Sequence, residues 1–279
     1  KLQGIKDLGF NRLSIGVQSF SDEQLKRINR THSACQAIDG IALAAGMGFD
    51  NISMDLIIGL PGQTEEELLG DVEKASCLPI EHLSVYMLSI DPNTVFEHMV
   101  KRGEFRLEDE EVIAGRYQRV CERLKELGFE HYEISNFARN GRYSRHSHGN
   151  SPPDRTMETG RYGTKPHHRY CLCRVDGCRG FGQGDGLENH LNEGTLSFEK
   201  EELNPVDLYN EYVMTGLRTM WGVEKQKLEG DYTMFWEQVR DQVLKYESSG
   251  DLVEEGGRWK ISETGWVISD AILSDLFVV

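Results

Sequence analysis

Asn51-Ile52-Ser53-Met54-Asp55-Leu56-Ile57-Ile58-Gly59-Leu60-Pro61-Gly62-Gln63-Thr64 decides the fold class. Asn51 to Ile58 is almost wholly apolar apart from Asp55, the composition of a strand buried on both faces of a parallel sheet. Gly59-Leu60-Pro61-Gly62 turns the chain, and Thr64 with Glu67 forms a capping-box pattern ahead of Leu68, Leu69 and Val72. Strand, turn and capped helix make one βα unit.

Similar units flank it on both sides. Arg12 to Gln18 reads as a strand, followed by a helix with Ser21 as N-cap and Gln24 three residues on. Ser33 and Gln36 repeat the pattern before a helix carrying Ile38, Ile41, Ala42 and Ala45, which stops at Gly46 or Gly48. Downstream, His82 to Ile90 reads as the next strand. A long helix presents Ile113, Tyr117, Val120, Cys121, Leu124 and Leu127 on one face and ends at Gly128. His131 to Phe137 closes the series as a short strand. Residues 1–140 are therefore expected to form an α/β array.

From 141 to 190 the character changes. His146 to His190 holds eight glycines, three of the six cysteines and almost no periodic apolar residues, and it reads as irregular. Order returns at Asn204-Pro205, an N-cap followed by proline in the first helical turn, with Tyr209, Tyr212, Val213, Leu217 and Met220 on one side. A helix over Thr233 to Tyr246, a hairpin around Gly256-Gly257 and a last helix through Trp266, Ile268, Ile272 and Leu276 complete the chain. The pattern over 191–279 predicts a small winged-helix-like α+β domain.

Bulk properties narrow the partners. The 279 residues carry a net charge of −15, which argues against nucleic acid, since phosphate binding needs clustered Lys and Arg. Residues 205–279 hold 7 Lys/Arg against 14 Asp/Glu, so the C-terminal domain is expected to dock on protein rather than DNA. No apolar run reaches the roughly 18 residues of a membrane span, and Lys1-Leu2-Gln3-Gly4 has no signal-peptide core, so a cytoplasmic location is expected. Cys35, Cys77 and Cys121 stand singly on helical patterns and read as small core residues.

In a parallel βα array, ligand-handling residues sit at the C-terminal ends of strands. Gln18, Asp55 and Ser89 occupy such positions. A carboxylate in so apolar a strand must be paired or hydrogen-bonded, as a ligand-binding group or as a structural Asp tied to backbone amides.

Four stretches in register resemble the radical-SAM family of heme chaperones (HemW-like) and oxygen-independent coproporphyrinogen III oxidases. They are Arg12 to Phe20, Asn29-Arg30-Thr31-His32, Met54 to Thr64, and His131-Tyr132-Glu133-Ile134-Ser135-Asn136-Phe137-Ala138-Arg139. Tyr212 to Thr219 extends the resemblance into the family's C-terminal domain. The resemblance implies a partial (βα) barrel, S-adenosylmethionine and a four-iron four-sulfur cluster as cofactors, and a tetrapyrrole partner. It places Gln18, Arg30, Asp55 and Ser89 at S-adenosylmethionine and leaves His146 as a heme ligand. His32, two residues beyond Arg30, either faces the same pocket or is a satisfied core histidine. The wording around Arg30, Gly59 and Tyr132 favours the chaperone branch, which implies a heme-acceptor protein. The oxidase is the alternative.

Two departures qualify the resemblance. The family's Cys-x3-Cys-x2-Cys cluster motif is expected upstream of Lys1, which makes the chain a fragment without its own metal ligands, inactive by itself and, as one alternative, non-functional. The family's pattern also lapses over 147–186, where a local frameshift is the expected explanation. A metal site from His167, His168, Cys171, Cys173 and Cys178 is the competing reading, although Cys-x-Cys-x4-Cys fits neither cluster nor common zinc spacing.

Overall fold

The computed structural model describes residues 1–90, 95–103, 105–144, 169–170, 200–201 and 203–279. After helix α1 (Leu2–Asp7), strands β1 (Arg12–Gln18), β2 (Asn51–Ile58) and β3 (His82–Met87) pair in parallel. Helices α2 (Asp22–Arg27) and α3 (Ala34–Gly46) link the first pair, and α4 (Glu65–Ser76) links the second. Short helix α5 (Val95–Lys101) and long helix α6 (Glu110–Glu126) follow. Ser33 and Thr64 both close full capping boxes, as their sequence patterns require.

The last strand of the array departs from expectation. His131 to Phe137 is not one strand but the turn of a hairpin, β4 (Glu130–Glu133) and β5 (Asn136–Ala138). The sheet order is β1-β2-β3-β5-β4, with β5 antiparallel to β3, so the sheet is mixed. The cause is local: the Glu133 carboxylate accepts from the Ser135 amide (3.0 Å) and from Asn136 Nδ2 (2.5 Å), which folds the chain back within two residues. The Tyr117 hydroxyl pins the turn by donating to the Ile134 carbonyl (2.5 Å).

Period two divides this sheet into unlike faces. Leu13, Ile15 and Val17, with Ile52, Met54, Leu56 and Ile58 and with Leu83 and Val85, turn to the helices. There they pack on Ile41 and Ala44 of α3, Leu68 and Val72 of α4, and Val120 and Leu124 of α6. Each such aliphatic side chain contributes about 1.5–3 kcal/mol by leaving water. The opposite, inner face carries Arg12, Ser14, Gly16, Ser53, Asp55, His82 and Ser84. The expectation that β2 is buried on both faces is therefore corrected, since Asn51, Asp55 and Ile57 are only half-buried along a polar cleft. Cys35 and Cys77 are likewise exposed rather than core residues, and Cys121 alone of the three packs against the core.

The C-terminal unit runs α7 (Pro205–Leu217), β8 (Val223–Glu224), α8 (Lys225–Glu229), α9 (Thr233–Ser249), β9 (Leu252–Glu255), β10 (Arg258–Ile261), a 3-10 turn (Gly265–Ile268) and α10 (Ser269–Leu276). Two two-residue strands, β6 (Arg169–Tyr170) and β7 (Lys200–Glu201), pair with each other in the stretch between. β8, β10 and β9 form a three-stranded antiparallel sheet, and Tyr209, Val213, Trp236, Val243, Trp259 and Ile272 lie in its core. The unit joins the larger sheet at the edge of β4. The Ile134 amide donates to the Arg218 carbonyl (3.2 Å) and the Met220 amide to the Tyr132 carbonyl (2.9 Å). His131 stacks on Phe137 (4.3 Å) and meets Trp266 of the C-terminal unit (4.8 Å).

Candidate functional site

The inner face at the C-terminal ends of β1, β2 and β3 collects the polar groups that the apolar core leaves over. Asp55 lies between Gly16 of β1 and Ser84 of β3, in register with both. Its carboxylate accepts from Ser14 Oγ at 3.4 Å, and among the described residues no backbone amide reaches it. That disfavours the structural alternative, in which amides would hold it. Burial pushes its carboxyl above the ordinary range, while the Ser84 and Ser14 hydroxyls and the Arg12 and Arg30 charges pull it back.

The end of β1 is shaped by a bulge. Gly16 pairs with Asp55 and Gln18 with Leu56, so Val17 is the extra residue, and Gln18 takes a left-handed φ of 73°. The turn folds the buried Gln18 side chain back over Gly16. A Cβ on Gly16 would sit 2.7 Å from Gln18 Nε2 and 3.9 Å from Asp55 Oδ2. Only glycine lets the amide and the carboxylate share this patch. His32 Nε2 lies 3.1 Å from the Val17 carbonyl, so it fixes the bulge.

The loop after β2 is held by Gln63, whose Oε1 accepts from the Gly59 amide (2.9 Å) and the Leu60 amide (3.4 Å). Its Nε2 donates to the Ile57 carbonyl (3.3 Å). Arg27 at the end of α2 donates to the Pro61 carbonyl (2.6 Å), tying the first two βα units together beside the cleft. Below the site, His82 lies between Ser53 Oγ (2.7 Å) and the Tyr132 hydroxyl (2.6 Å), and burial lowers its pKa to about 3.

Of the residues singled out in the sequence, Gln18 and Asp55 meet at Gly16, and exposed Arg30 is near enough for Asp55 to feel its charge. Ser89 is not drawn in. β3 ends at Met87 rather than Ile90, which leaves Ser89 exposed beyond the sheet. His146 and the His167 to Cys178 group lie outside the described residues. Gly16, Ser14 and Ser84 were missed, although the alternation Arg12, Ser14, Gly16, Gln18 against Leu13, Ile15, Val17 marks a polar face.

Residues 1–75 match the Radical SAM superfamily and residues 203–268 the HemN C-terminal domain. The heme chaperone HemW of Bacillus subtilis is 32% identical over 260 residues, covering 92% of this chain and 65% of that protein. The heme chaperone HemW of Escherichia coli is 30% identical over 288 residues, covering 97% of this chain and 69% of that protein. The chain belongs to the HemW family. It spans about two-thirds of the length of these relatives. In fold it resembles the coproporphyrinogen III oxidase HemN of Escherichia coli, with a TM-score of 0.68 at 17% identity over 99% of this chain and 66% of that one.

These matches correct the reading of the chain as a truncated piece defined by a missing cluster motif. Similarity to the family runs across 92% and 97% of the chain, through the stretch where the sequence pattern lapses, and the radical-SAM match begins at residue 1. The alignments span nearly the whole chain, and its first residue is no measure of what the protein holds. Among the described residues no helix is long and apolar enough to cross a membrane.

Proposed function

We propose that the inner face at the ends of β1, β2 and β3 binds S-adenosylmethionine, and that the protein handles heme in the manner its relatives' name describes. The supporting observation is the convergence of Asp55, Gln18 and Arg30 on one end of three parallel strands in a chain of the HemW family. The residues fit the ligand. Asp55 and Gln18 would hold ribose hydroxyls, Arg30 would pair with the amino-acid carboxylate through its planar fork, and the glycine cradle leaves room for close approach. Half-buried Ile57 and exposed Tyr86, adjacent in register on the same face, offer an apolar rim for a base.

The described residues do not supply a cluster. Among them no group of three or more His, Cys, Asp or Glu could hold a metal ion, and Cys35, Cys77 and Cys121 are dispersed over three helical segments. The heme-handling reading includes transfer to an acceptor protein, with the cytoplasm as the site of action. The order helix, strand, helix, helix, hairpin, with β8 completing a three-stranded sheet, supports a winged-helix-like C-terminal unit beside a partial (βα) barrel. Its acidic balance supports docking on protein.

Calorimetric titration of the full-length protein with S-adenosylmethionine tests the site. Asp55→Ala should weaken binding about tenfold or more, the cost of one charge-assisted hydrogen-bonded contact, with the far-UV spectrum unchanged. Equal affinity in a folded Asp55→Ala protein would overturn the assignment.

A further inference from the structure

We infer that Ser84 is a ligand-binding residue of this face, presented beside Asp55 as a hydrogen-bond acceptor by Asn136 and Glu133. This rests on the S-adenosylmethionine reading and adds to it a residue from β3 and two positioning residues from the β4–β5 hairpin.

One proton sets the polarity of this network. Ser84, Asn136 and Glu133 are 4%, 8% and 8% exposed, so their polar atoms must find partners within the protein or in a ligand. Glu133 is the fixed end. Its Oε2 accepts from the Ser135 amide and from Asn136 Nδ2, and its Oε1 faces Arg218 Nη2 at 3.5 Å. A carboxylate only accepts, so Asn136 must turn its NH2 toward Glu133. Its carbonyl oxygen therefore points the other way, to Ser84, whose hydroxyl donates to it at 2.8 Å.

A serine has one proton to give. In this geometry the proton goes to Asn136 at 2.8 Å, and Asp55, which stands beside Ser84 on the neighbouring strand of the same face and has its pKa lowered by the same hydroxyl, is the competing acceptor. With the proton on Asn136, a Ser84 lone pair and the Asp55 carboxylate are neighbouring acceptors on strands roughly 5 Å apart. A vicinal diol, with two donors on neighbouring carbons, satisfies both, and a ribose supplies one. The Ser84–Asn136 bond is not needed to pair the strands, because β3 and β5 are already laddered at that register.

The test is calorimetric titration of the full-length protein with S-adenosylhomocysteine and with its 2′,3′-dideoxy analogue. Ser84→Ala is expected to weaken S-adenosylhomocysteine about tenfold, as expected for one lost buried hydrogen bond, and Ser84→Thr to restore it. Asn136→Ala should weaken it by a similar factor, and the double variant should be no weaker than Ser84→Ala, because Asn136 acts through Ser84. The dideoxy analogue should bind wild type and Ser84→Ala alike, and this comparison decides the matter by itself where Asn136→Ala does not fold. Additive losses, or Ser84→Ala binding equal to wild type while Asp55→Ala is weakened, overturn this inference alone. A wild-type protein that binds no nucleoside, or an unweakened Asp55→Ala, overturns the underlying reading as well.

Discussion

Acidification from about pH 7 to about pH 5 should destabilise the protein through two histidines, His82 buried and His131 half-buried. His82 lies between Ser53 and Tyr132, and the Tyr132 hydroxyl also accepts from the Ser144 amide (3.1 Å), so the ring is enclosed in a saturated network. Burial, with the Arg12 charge acting in the same direction, lowers its pKa to about 3. His131, between Phe137 and Trp266, is lowered to about 4 by burial, against opposing contributions from the Ile134 and Glu133 backbone. Both rings bind a proton less readily folded than unfolded. Their contribution is therefore complete above the unfolded pKa near 6.5 and is lost as pH falls toward 4 and 3. The slope is about 1.4 kcal/mol per pH unit for each ring, so pH 5 should cost about 2 kcal/mol per histidine and about 4 kcal/mol together. Asp55 and Asp71 work the other way, since burial raises both carboxyls and their protonation in the folded state offsets part of the loss at lower pH. Urea unfolding followed by tryptophan fluorescence at half-unit steps of pH measures the slope. His131→Phe should keep the stack and remove about half of the loss. A stability that stays flat between pH 7 and pH 5, or a His131→Phe protein with the wild-type slope, would show that these rings do not carry the pH dependence.

Three further substitutions probe other parts of the structure. Gly222→Ala would place a Cβ 2.0 Å from the Trp259 carbonyl oxygen at a φ of 64°, and should cost more than about 3 kcal/mol; an unchanged melting temperature would show that the approach of the turn before β8 to β10 is not tight. Gly16→Ala meets only the flexible end of Gln18, so stability should fall by no more than about 1 kcal/mol. Nucleoside binding by the same variant should drop sharply as the Gln18 amide is pushed off the patch, and calorimetry beside a thermal melt separates the two effects. Gln63→Leu strips partners from the Gly59 and Leu60 amides and the Ile57 carbonyl, a loss of about 2–3 kcal/mol in urea unfolding. A loss below about 0.5 kcal/mol would mean water replaces the side chain.

The site was only partly legible in the sequence, for identifiable reasons. Asp55 stood out because an acidic residue in an apolar strand is costly, and Gln18 because it ended one; both belong to the site's geometry. Ser89 lies exposed just beyond β3, which stops at Met87 rather than Ile90 because the chain leaves the sheet after its pairing with Ile58. Ser84 gave no signal, since a serine in a strand is unremarked until its register partner is known. The hairpin was hidden inside Tyr132-Glu133-Ile134-Ser135-Asn136, where no glycine or proline marks the reversal and a glutamate side chain makes the turn instead.

The sequence by itself determined the local structure: capped helices at Ser33, Thr64 and Asn204, strands at Arg12–Gln18 and Asn51–Ile58, and the C-terminal hairpin at Gly256-Gly257. These depend on caps, turns and periodicity within a few residues, and such signals are written locally. Tertiary structure alone decided which face of the sheet is polar, that β5 runs against β3, and that Ser84, Asn136 and Glu133 line up behind Asp55. Those features depend on register between strands 29 to 52 residues apart, and the direction in which a hydroxyl proton points is set only when its acceptor is brought across that distance.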